Sequence, residues 1–227
     1  MRFSTFLPRY LPSLEYFWNL LQCDHVILTD HFPFSPGYGL TKSALLLHSE
    51  QQIRLPLKHE HQPLSISQRR ISQASPWRKK HIQTIHHLLK SEPYAYLYLP
   101  AIGDMIESGE QNLSRFLLNN LQQILNLLHF HPQLHLSSTL YHSKDNHDCI
   151  DRWFHDLKAH SYLYSPLVFK RAWLDRDVLQ ARQIRLEKFV PFPEEHIFQS
   201  NRHHSILVFL VQFGPEAGYL IRQYMDR

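Results

Sequence analysis

The chain has 227 residues, 43% hydrophobic and 19% charged, as in soluble globular proteins rather than disordered ones. Its formal net charge is +4 with histidine neutral, too small and too evenly spread to predict nucleic-acid binding. Two cysteines are too few for a disulfide framework. No apolar run approaches the roughly 18 residues of a membrane span. The prolines near the start of the chain argue against a signal peptide. We therefore expect a soluble, cytoplasmic protein without membrane insertion.

The first part of the chain alternates short apolar runs with a helical pattern. Residues 3–7 predict a buried strand, residues 13–22 an amphipathic helix, and residues 26–28 a second strand. A strand–helix–strand unit of this kind favours a parallel sheet. Asp30 follows the second strand and so lies at the edge where open α/β sheets bind ligands.

The middle of the chain predicts a hairpin and one strong helix. Apolar runs at 44–48 and 52–57 flank a polar turn, which is typical of a β-hairpin. Residues 58–73 are polar and without periodicity, so we expect them to be exposed. Asn112 begins a helix that carries a wide apolar stripe up to Leu128.

The second half repeats the alternation of strands and helices. Strands are predicted over 133–138, 161–164 and 183–190, and helices over 148–159 and 173–181. No repeat, low-complexity tract or linker divides the chain, so we expect one domain, residues 1–227. The sequence thus predicts a three-layer α/β fold, with a mainly parallel sheet flanked by helices and a small β-hairpin.

The segment that begins at Ser75 carries the clearest functional signal. Ser75 is a preferred N-cap residue and Pro76 suits the first helical position, so we expect a helix to start here. Arg78 and His81 fall within its apolar arc, near a helix end where the dipole disfavours positive charge by roughly 0.3–1 kcal/mol. Buried cations need a partner of opposite charge. Either a bound anion meets both side chains, or Arg78 pairs with an interior carboxylate and His81 is a neutral core histidine.

Other functional patterns are weaker. The chain contains no P-loop and no G-x-G-x-x-G motif, and no cofactor is predicted. The histidines between 129 and 147 lack the tight spacing of a zinc site, so no metal is predicted either. Cys149 is interpreted as a buried structural thiol. Ser138 closes a predicted strand and is a candidate hydrogen-bond donor to a ligand, although strand-end serines are also common turn residues.

A series of short landmarks extends along nearly the whole chain: Pro8-Arg9-Tyr10-Leu11-Pro12, Tyr16-Phe17, Asp24, residues 26–30, Leu55-Pro56-Leu57, Trp77-Arg78-Lys79-Lys80-His81, Pro93-Tyr94, Leu113-Ser114, Ser137-Ser138, residues 161–174 and Ser205-Ile206 with Phe213-Gly214-Pro215. In this order the landmarks resemble the WbqC-like family of bacterial proteins. The segment that starts at Trp77 is the most specific of them. The resemblance also implies a helix over 205–213.

This resemblance implies a role in O-antigen or other surface-polysaccharide biosynthesis, with glycyl or other acyl transfer among the proposed reactions. The chain departs from the family's pattern at several polar positions. Leu7 stands where glutamine is usual, and Val208 where an aspartate is expected. After Asp30, His31-Phe32-Pro33-Phe34 replaces a second acid or glutamine, and the Asn-Arg pair of the following loop is missing. These departures concern catalysis more than the fold.

Our leading hypothesis is a transferase that acts on an activated, phosphate-bearing sugar or acyl donor, such as a nucleotide-sugar. The candidate residues are Asp30 and His81 for catalysis, and Tyr10, Arg78, Lys79 and Ser138 for substrate binding. We expect Tyr10, Asp30, Arg78 and His81 to line one cleft at the carboxyl ends of the parallel strands. The alternative is a non-catalytic ligand-binding or accessory protein of a glycan-assembly system, which the lost polar positions favour.

Overall fold

The structure, a computed structural model, describes residues 1–45, 52–165 and 174–225. The strands are β1 (Arg2–Phe6), β2 (His25–Leu28), β3 (Lys42–Ala44), β4 (Gln52–Arg54), β5 (Gln133–Leu136), β6 (Ser161–Tyr164) and β7 (Leu186–Lys188). The helices are α1 (Leu14–Leu20), α2 (Trp77–Leu89), α3 (Ala95–Glu107), α4 (Leu113–Leu127), α5 (Asn146–Asp156), α6 (Arg176–Ala181), α7 (His196–Gln199), α8 (Ile206–Phe213) and α9 (Glu216–Met225). A parallel sheet flanked by helices and a separate antiparallel pair confirm the predicted α/β fold.

The parallel sheet has the strand order β5-β2-β1-β6-β7. The chain passes from β1 through β2 to β5 on one side, and then crosses to β6 and β7 on the other. Because all these pairings are parallel, the carboxyl ends of the five strands meet at one edge. The change of direction beside β1 is the place where open α/β sheets bind ligands.

Both faces of the sheet are buried. In β2, Val26 and Leu28 belong to the larger core, which also contains apolar residues of α1, α4 and α8. Phe3 and Ile27 belong to a second core, which contains Trp153 of α5. Successive side chains of a strand point to opposite faces, so a strand covered on both sides is a continuous apolar run. This is why residues 26–28 could be recognised as a strand.

The starts of two helices follow the sequence signals, the start of α2 does not, and the helices predicted over 148–159 and 173–181 are observed as Asn146–Asp156 and Arg176–Ala181. The Asn112 side chain accepts a hydrogen bond from the Arg115 amide and caps α4, as predicted. Ser205 likewise caps α8, so the helix implied over 205–213 is confirmed. Helix α2, however, begins at Trp77 with Pro76 as its N-cap. The first helical hydrogen bond runs from the Lys80 amide to the Pro76 carbonyl (3.2 Å), whereas the Ser75 carbonyl accepts from the Trp77 amide in a turn before the helix.

The segment 58–73 is partly buried, which corrects the expectation that it is exposed. Ile66 and Ile71 are both 0% exposed. The Ser67 amide donates to the Asp30 carbonyl (2.8 Å), so the segment passes next to the end of β2. The expectation was wrong because isolated isoleucines in a polar stretch give no periodic signal. The segment forms a wall of the site described below.

The predicted hairpin is found in part. Strands β3 and β4 pair antiparallel, with Ser43 opposite Ile53. The turn at 49–51 and most of the first predicted arm lie outside the described residues. Across the described ranges, no helix has both the length and the hydropathy needed to cross a membrane.

Candidate functional site

Three recesses join above the ends of the parallel strands. The largest, about 900 Å³, is lined by Asp30, Ser138, residues 108–112, Arg70 and Arg115. It shares Ser67 and Ser138 with a recess of about 650 Å³. That recess shares His31 and Phe32 with a small apolar one of about 60 Å³ against Trp153. We call the three together the carboxyl-edge groove.

Asp30 lies at the floor of this groove and is fully buried. Its Oδ1 accepts hydrogen bonds from the Ser138 amide (2.8 Å) and the Ser137 hydroxyl (3.1 Å), and its Oδ2 accepts one from the Ser138 hydroxyl (2.8 Å). These bonds form because β5 ends at Leu136 and a single 3₁₀ turn brings both serines against the carboxylate. A buried carboxylate needs such donors to replace water.

His31 belongs to the same network. Its Nδ1 lies 2.5 Å from the Ser137 hydroxyl oxygen, and its ring packs on Phe32 with centroids 4.3 Å apart. Because Ser137 donates its only hydroxyl hydrogen to Asp30, Nδ1 must carry the hydrogen shared with Ser137, and Nε2 keeps its lone pair. Burial lowers the pKa of His31, which favours the neutral ring. Nε2 is buried without a hydrogen-bond partner among the described residues.

Positive charge lines the wall that faces Asp30. Arg70 lies on the segment 58–73 and Arg115 in the first turn of α4, and both are exposed at the largest recess. Within residues 1–45, 52–165 and 174–225, neither guanidinium has an ion pair or hydrogen bond. The groove thus combines a hydrogen-bonded acid at its floor with unpaired cations on its wall, an arrangement suited to an anionic ligand.

The structure brings Asp30 and Ser138 together but places Tyr10 and His81 elsewhere. The Tyr10 hydroxyl lies 3.1 Å from Nδ1 of His81, and the two rings pack with Trp77 and Phe116 in the larger core. Burial lowers the pKa of His81 to about 4. A hydrogen bond with the Arg54 backbone raises this pKa, but by less than burial lowers it. His81 therefore corresponds to the second alternative, a neutral histidine in the core. The described residues do not bring Tyr10 and His81 into one cleft with Asp30. The difference arises because the apolar arc of α2 faces the core instead of the strand ends.

Among the described residues, the partners of Arg78 are two backbone carbonyls and one side-chain amide, and none is a carboxylate. Its Nε donates to the carbonyl of Ser108 (3.2 Å), its Nη2 to the carbonyl of Glu110 (3.0 Å), and its Nη1 to the side chain of Gln73 (2.5 Å). The guanidinium also lies over the Trp77 ring. Arg78 therefore holds the loop 108–110 in place through its backbone carbonyls, on the side of the loop that faces α2. The same loop lines the groove. Lys79 is exposed and is not among the residues that line the groove.

We expect Arg78→Ala to lower the free energy of unfolding by about 1.5–3 kcal/mol, the usual contribution of hydrogen bonds from a charged group. The reason is that two loop carbonyls lose their donor while the loop stays packed against α2. Urea unfolding measures the change. Lys79→Ala, on the same helix and exposed, should stay within about 0.5 kcal/mol of the unaltered protein. An Arg78→Ala variant as stable as Lys79→Ala would contradict the anchoring role.

The prediction from sequence missed His31, Arg70 and Arg115. For Arg115 a signal was present: a cation in the first turn of a helix, the same conflict with the helix dipole that drew attention to Arg78. His31 follows a strand-end acid directly and so shares its edge of the sheet. Arg70 gave no signal, because its place at the groove depends on the path of the segment 58–73.

Apart from Thr5 and Leu7 in the small apolar recess, the residues that line the groove lie within the part of the chain that matches a known family. The sequence profile of the WbqC-like protein family matches residues 8–214 of the 227-residue chain. The chain belongs to this family. No curated protein and no solved structure matches it. The residues that line the two larger recesses, Asp30 and Ser138 among them, are therefore all residues of the WbqC-like region.

Three further observations concern other candidate sites in this WbqC-like chain. A separate recess of about 510 Å³ lies between α2 and α3 and is lined by apolar residues such as Ile82, Leu99 and Ile102. Cys149 is buried, and its sulfur accepts a hydrogen bond from the Ser143 amide (3.1 Å). In the described part of the chain, no group of three or more His, Cys, Asp or Glu residues is arranged to hold a metal ion.

Proposed function

We propose that the carboxyl-edge groove is the substrate site of a transferase of surface-polysaccharide biosynthesis. Its donor would be a phosphate-bearing sugar or acyl compound, for example a nucleotide-sugar. The observation that supports this most is one groove that holds both the Asp30–Ser137–His31 network and the unpaired Arg70 and Arg115. The biosynthetic context comes from the WbqC-like resemblance.

The network suggests how a proton would move in such a transfer. As the acceptor's hydroxyl or amine forms its bond to the donor, it loses a proton, and the phosphate leaves with the electron pair of the broken bond. Nε2 of His31, with its unshared lone pair, would take the proton. Asp30 would stabilise the resulting imidazolium through Ser137, so its role is that of a positioning residue rather than the general base expected from the sequence. Arg70 and Arg115 would neutralise the leaving phosphate.

The proposal is tested with a panel of nucleotide-sugars and aminoacyl donors. Thermal shift identifies the compounds that bind, and mass spectrometry of the mixture with candidate glycan acceptors identifies products. With an active pair in hand, we expect Asp30→Asn and His31→Asn each to lower turnover by about 100-fold or more. His31→Asn is informative because its amide still donates to Ser137 while Nε2 is removed. His87→Asn, exposed on α2, is the matched control and should keep full activity.

Two results would count against the proposal. Turnover by Asp30→Asn at the unaltered rate would remove Asp30 from the mechanism. Equal activity of His31→Asn and His87→Asn would show that His31 is not the proton acceptor. Another base in the groove would then be needed.

A second candidate function is a non-catalytic ligand-binding or accessory protein of a glycan-assembly system. Its support is that every described bond of the Asp30 carboxylate goes to Ser137 or Ser138, which suits a structural acid as well as a catalytic one. In addition, Val208 is fully buried in the larger core, so a position expected to be polar has become part of the packing. Stabilisation by a donor without any product after long incubation would favour this function over transfer.

A further inference from the structure

Helix α4 begins at the largest recess of the groove, and most amides around its start are already bonded. The Leu113 amide donates to the Arg69 carbonyl (3.0 Å), and the Arg115 amide to the Asn112 side chain (3.1 Å). Between them, the Ser114 amide has no partner among the described residues. The positive end of a 15-residue helix thus presents an unoccupied donor.

The Ser114 hydroxyl is a second, independent sign of a missing partner. Ser114 is 1% exposed, lines the largest recess, and its Oγ has no hydrogen-bond partner in the described part of the chain. A helical serine often donates to the carbonyl four residues earlier. Here that carbonyl belongs to Glu110 and accepts from Nη2 of Arg78. A buried hydroxyl without a partner is unfavourable, which points to a ligand that supplies an acceptor.

The charges around Ser114 favour an anion as that ligand. The Glu110 carboxylate is engaged by the amides of Gln111 (2.8 Å) and Asn112 (2.7 Å). The Asp30 carboxylate is engaged by Ser137 and Ser138. The carboxylates of Asp30 and Glu110 thus already accept hydrogen bonds from the protein. The guanidinium groups of Arg70 and Arg115, in contrast, have no partner among the residues described.

We propose that a phosphate group binds at the start of α4, accepts hydrogen bonds from the amide and hydroxyl of Ser114, and pairs with Arg70 and Arg115. The inference deepens the proposed function, on which it rests for the nature of the substrate. It orients that substrate: the phosphate lies at α4, and the group to be transferred lies toward Ser138 and His31. Free phosphates and the phosphate esters of sugars share this chemistry, so both are probes.

The test is isothermal titration calorimetry at low ionic strength with pyrophosphate, glucose 1-phosphate and UDP-glucose. Arg70→Ala and Arg115→Ala should each raise the Kd of pyrophosphate about tenfold or more, since each removes a charged hydrogen-bond donor. Ser114→Ala should raise it about threefold to tenfold. Arg152→Ala, an exposed arginine on α5 paired with Asp156, is the matched control and should stay within about twofold. A lower Kd for UDP-glucose than for pyrophosphate would show that the site prefers a phosphate ester of a sugar. A lower Kd for pyrophosphate would show that it prefers a free phosphate.

Thermal unfolding checks that the variants are folded. Ser114→Ala should keep or raise the unfolding midpoint, because the hydroxyl that it removes has no partner among the described residues. Unchanged pyrophosphate affinity in all three variants, or no binding by the unaltered protein, overturns the phosphate subsite. A donor that still reacts at the full rate with the Arg70→Ala/Arg115→Ala protein overturns both the subsite and the role of these arginines at the leaving phosphate, and leaves only the transferase activity and the Asp30–Ser137–His31 network standing. Pyrophosphate binding that requires both arginines, with no donor turned over, supports the subsite and counts against the transferase.

Discussion

Acidification from pH 7 to pH 4 is expected to remove about 3 kcal/mol of folding stability through His81. Burial lowers the pKa of this side chain from 6.5 to about 4 in the folded protein. At a pH between 6.5 and about 4, the unfolded state binds a proton at His81 and the folded state does not. The free energy of unfolding therefore falls as the pH falls through this range. At a pH well above 6.5 neither state is protonated at His81, and the loss is absent. Burial lowers the pKa of His25, His31 and His135 as well, which adds to the loss in the same direction.

The effect of His81 is isolated by a pair of variants. Tyr10→Phe/His81→Phe removes the imidazole together with the hydroxyl that would otherwise lose its partner. Urea unfolding at pH 7.5 and pH 4.5 should show a smaller acid loss for this double variant than for the unaltered protein. His87→Phe, at an exposed position of the same helix, should leave the acid loss unchanged. The same acid loss with and without His81 would contradict its burial as a neutral side chain.

Gly218→Ala is expected to lower the free energy of unfolding by about 3 kcal/mol, at the upper end of overpacking. A Cβ at this position of α9 would lie much closer to the Leu128 carbonyl oxygen, just after α4, than van der Waals contact allows. A backbone carbonyl cannot move aside as a flexible side chain can. Close to this contact Arg222 donates to the His129 carbonyl and lies over the Phe130 ring, so α9 has little room to shift.

Gly103→Ala is the matched control for this prediction. Gly103 also lies within a helix, but an added Cβ would have no atom within 4 Å. We expect this variant to be more stable by about 0.5–1 kcal/mol, because alanine loses less conformational entropy in a helix than glycine. Chemical denaturation of the two proteins side by side measures the difference. Equal stabilities would show that α9 does not pack against the end of α4 as described.

The sheet and its strongest helix could be predicted because their signals are local. Residues 26–28 and 161–164 are short apolar runs, and α4 has both an Asn112 cap and an apolar stripe. The rule that parallel strands end at a common edge was enough to place Asp30 at the carboxyl edge of the sheet. Ser138 was singled out separately, as a residue that closes a strand. The structure brings the two into direct contact.

The rest of the site depends on contacts between distant segments, which the sequence does not display. The partners of Arg78 are carbonyls 30 and 32 residues away, and backbone carbonyls leave no mark on the sequence. The apolar arc of α2 was identified, but not the neighbour that it faces, so His81 was assigned to the cleft instead of the core. Arg70 reaches the groove only because buried Ile66 and Ile71 hold its segment against the sheet.

The most direct test of the account is a map of ligand-induced backbone amide shifts by NMR. The ligand is the nucleotide-sugar or sugar phosphate that gives the largest thermal shift. If the carboxyl-edge groove is the substrate site, the largest shifts fall at His31, at Ser114 and Arg115, and at the 3₁₀ turn that carries Ser138. Shifts centred on the recess between α2 and α3 that leave those amides unchanged would contradict the account.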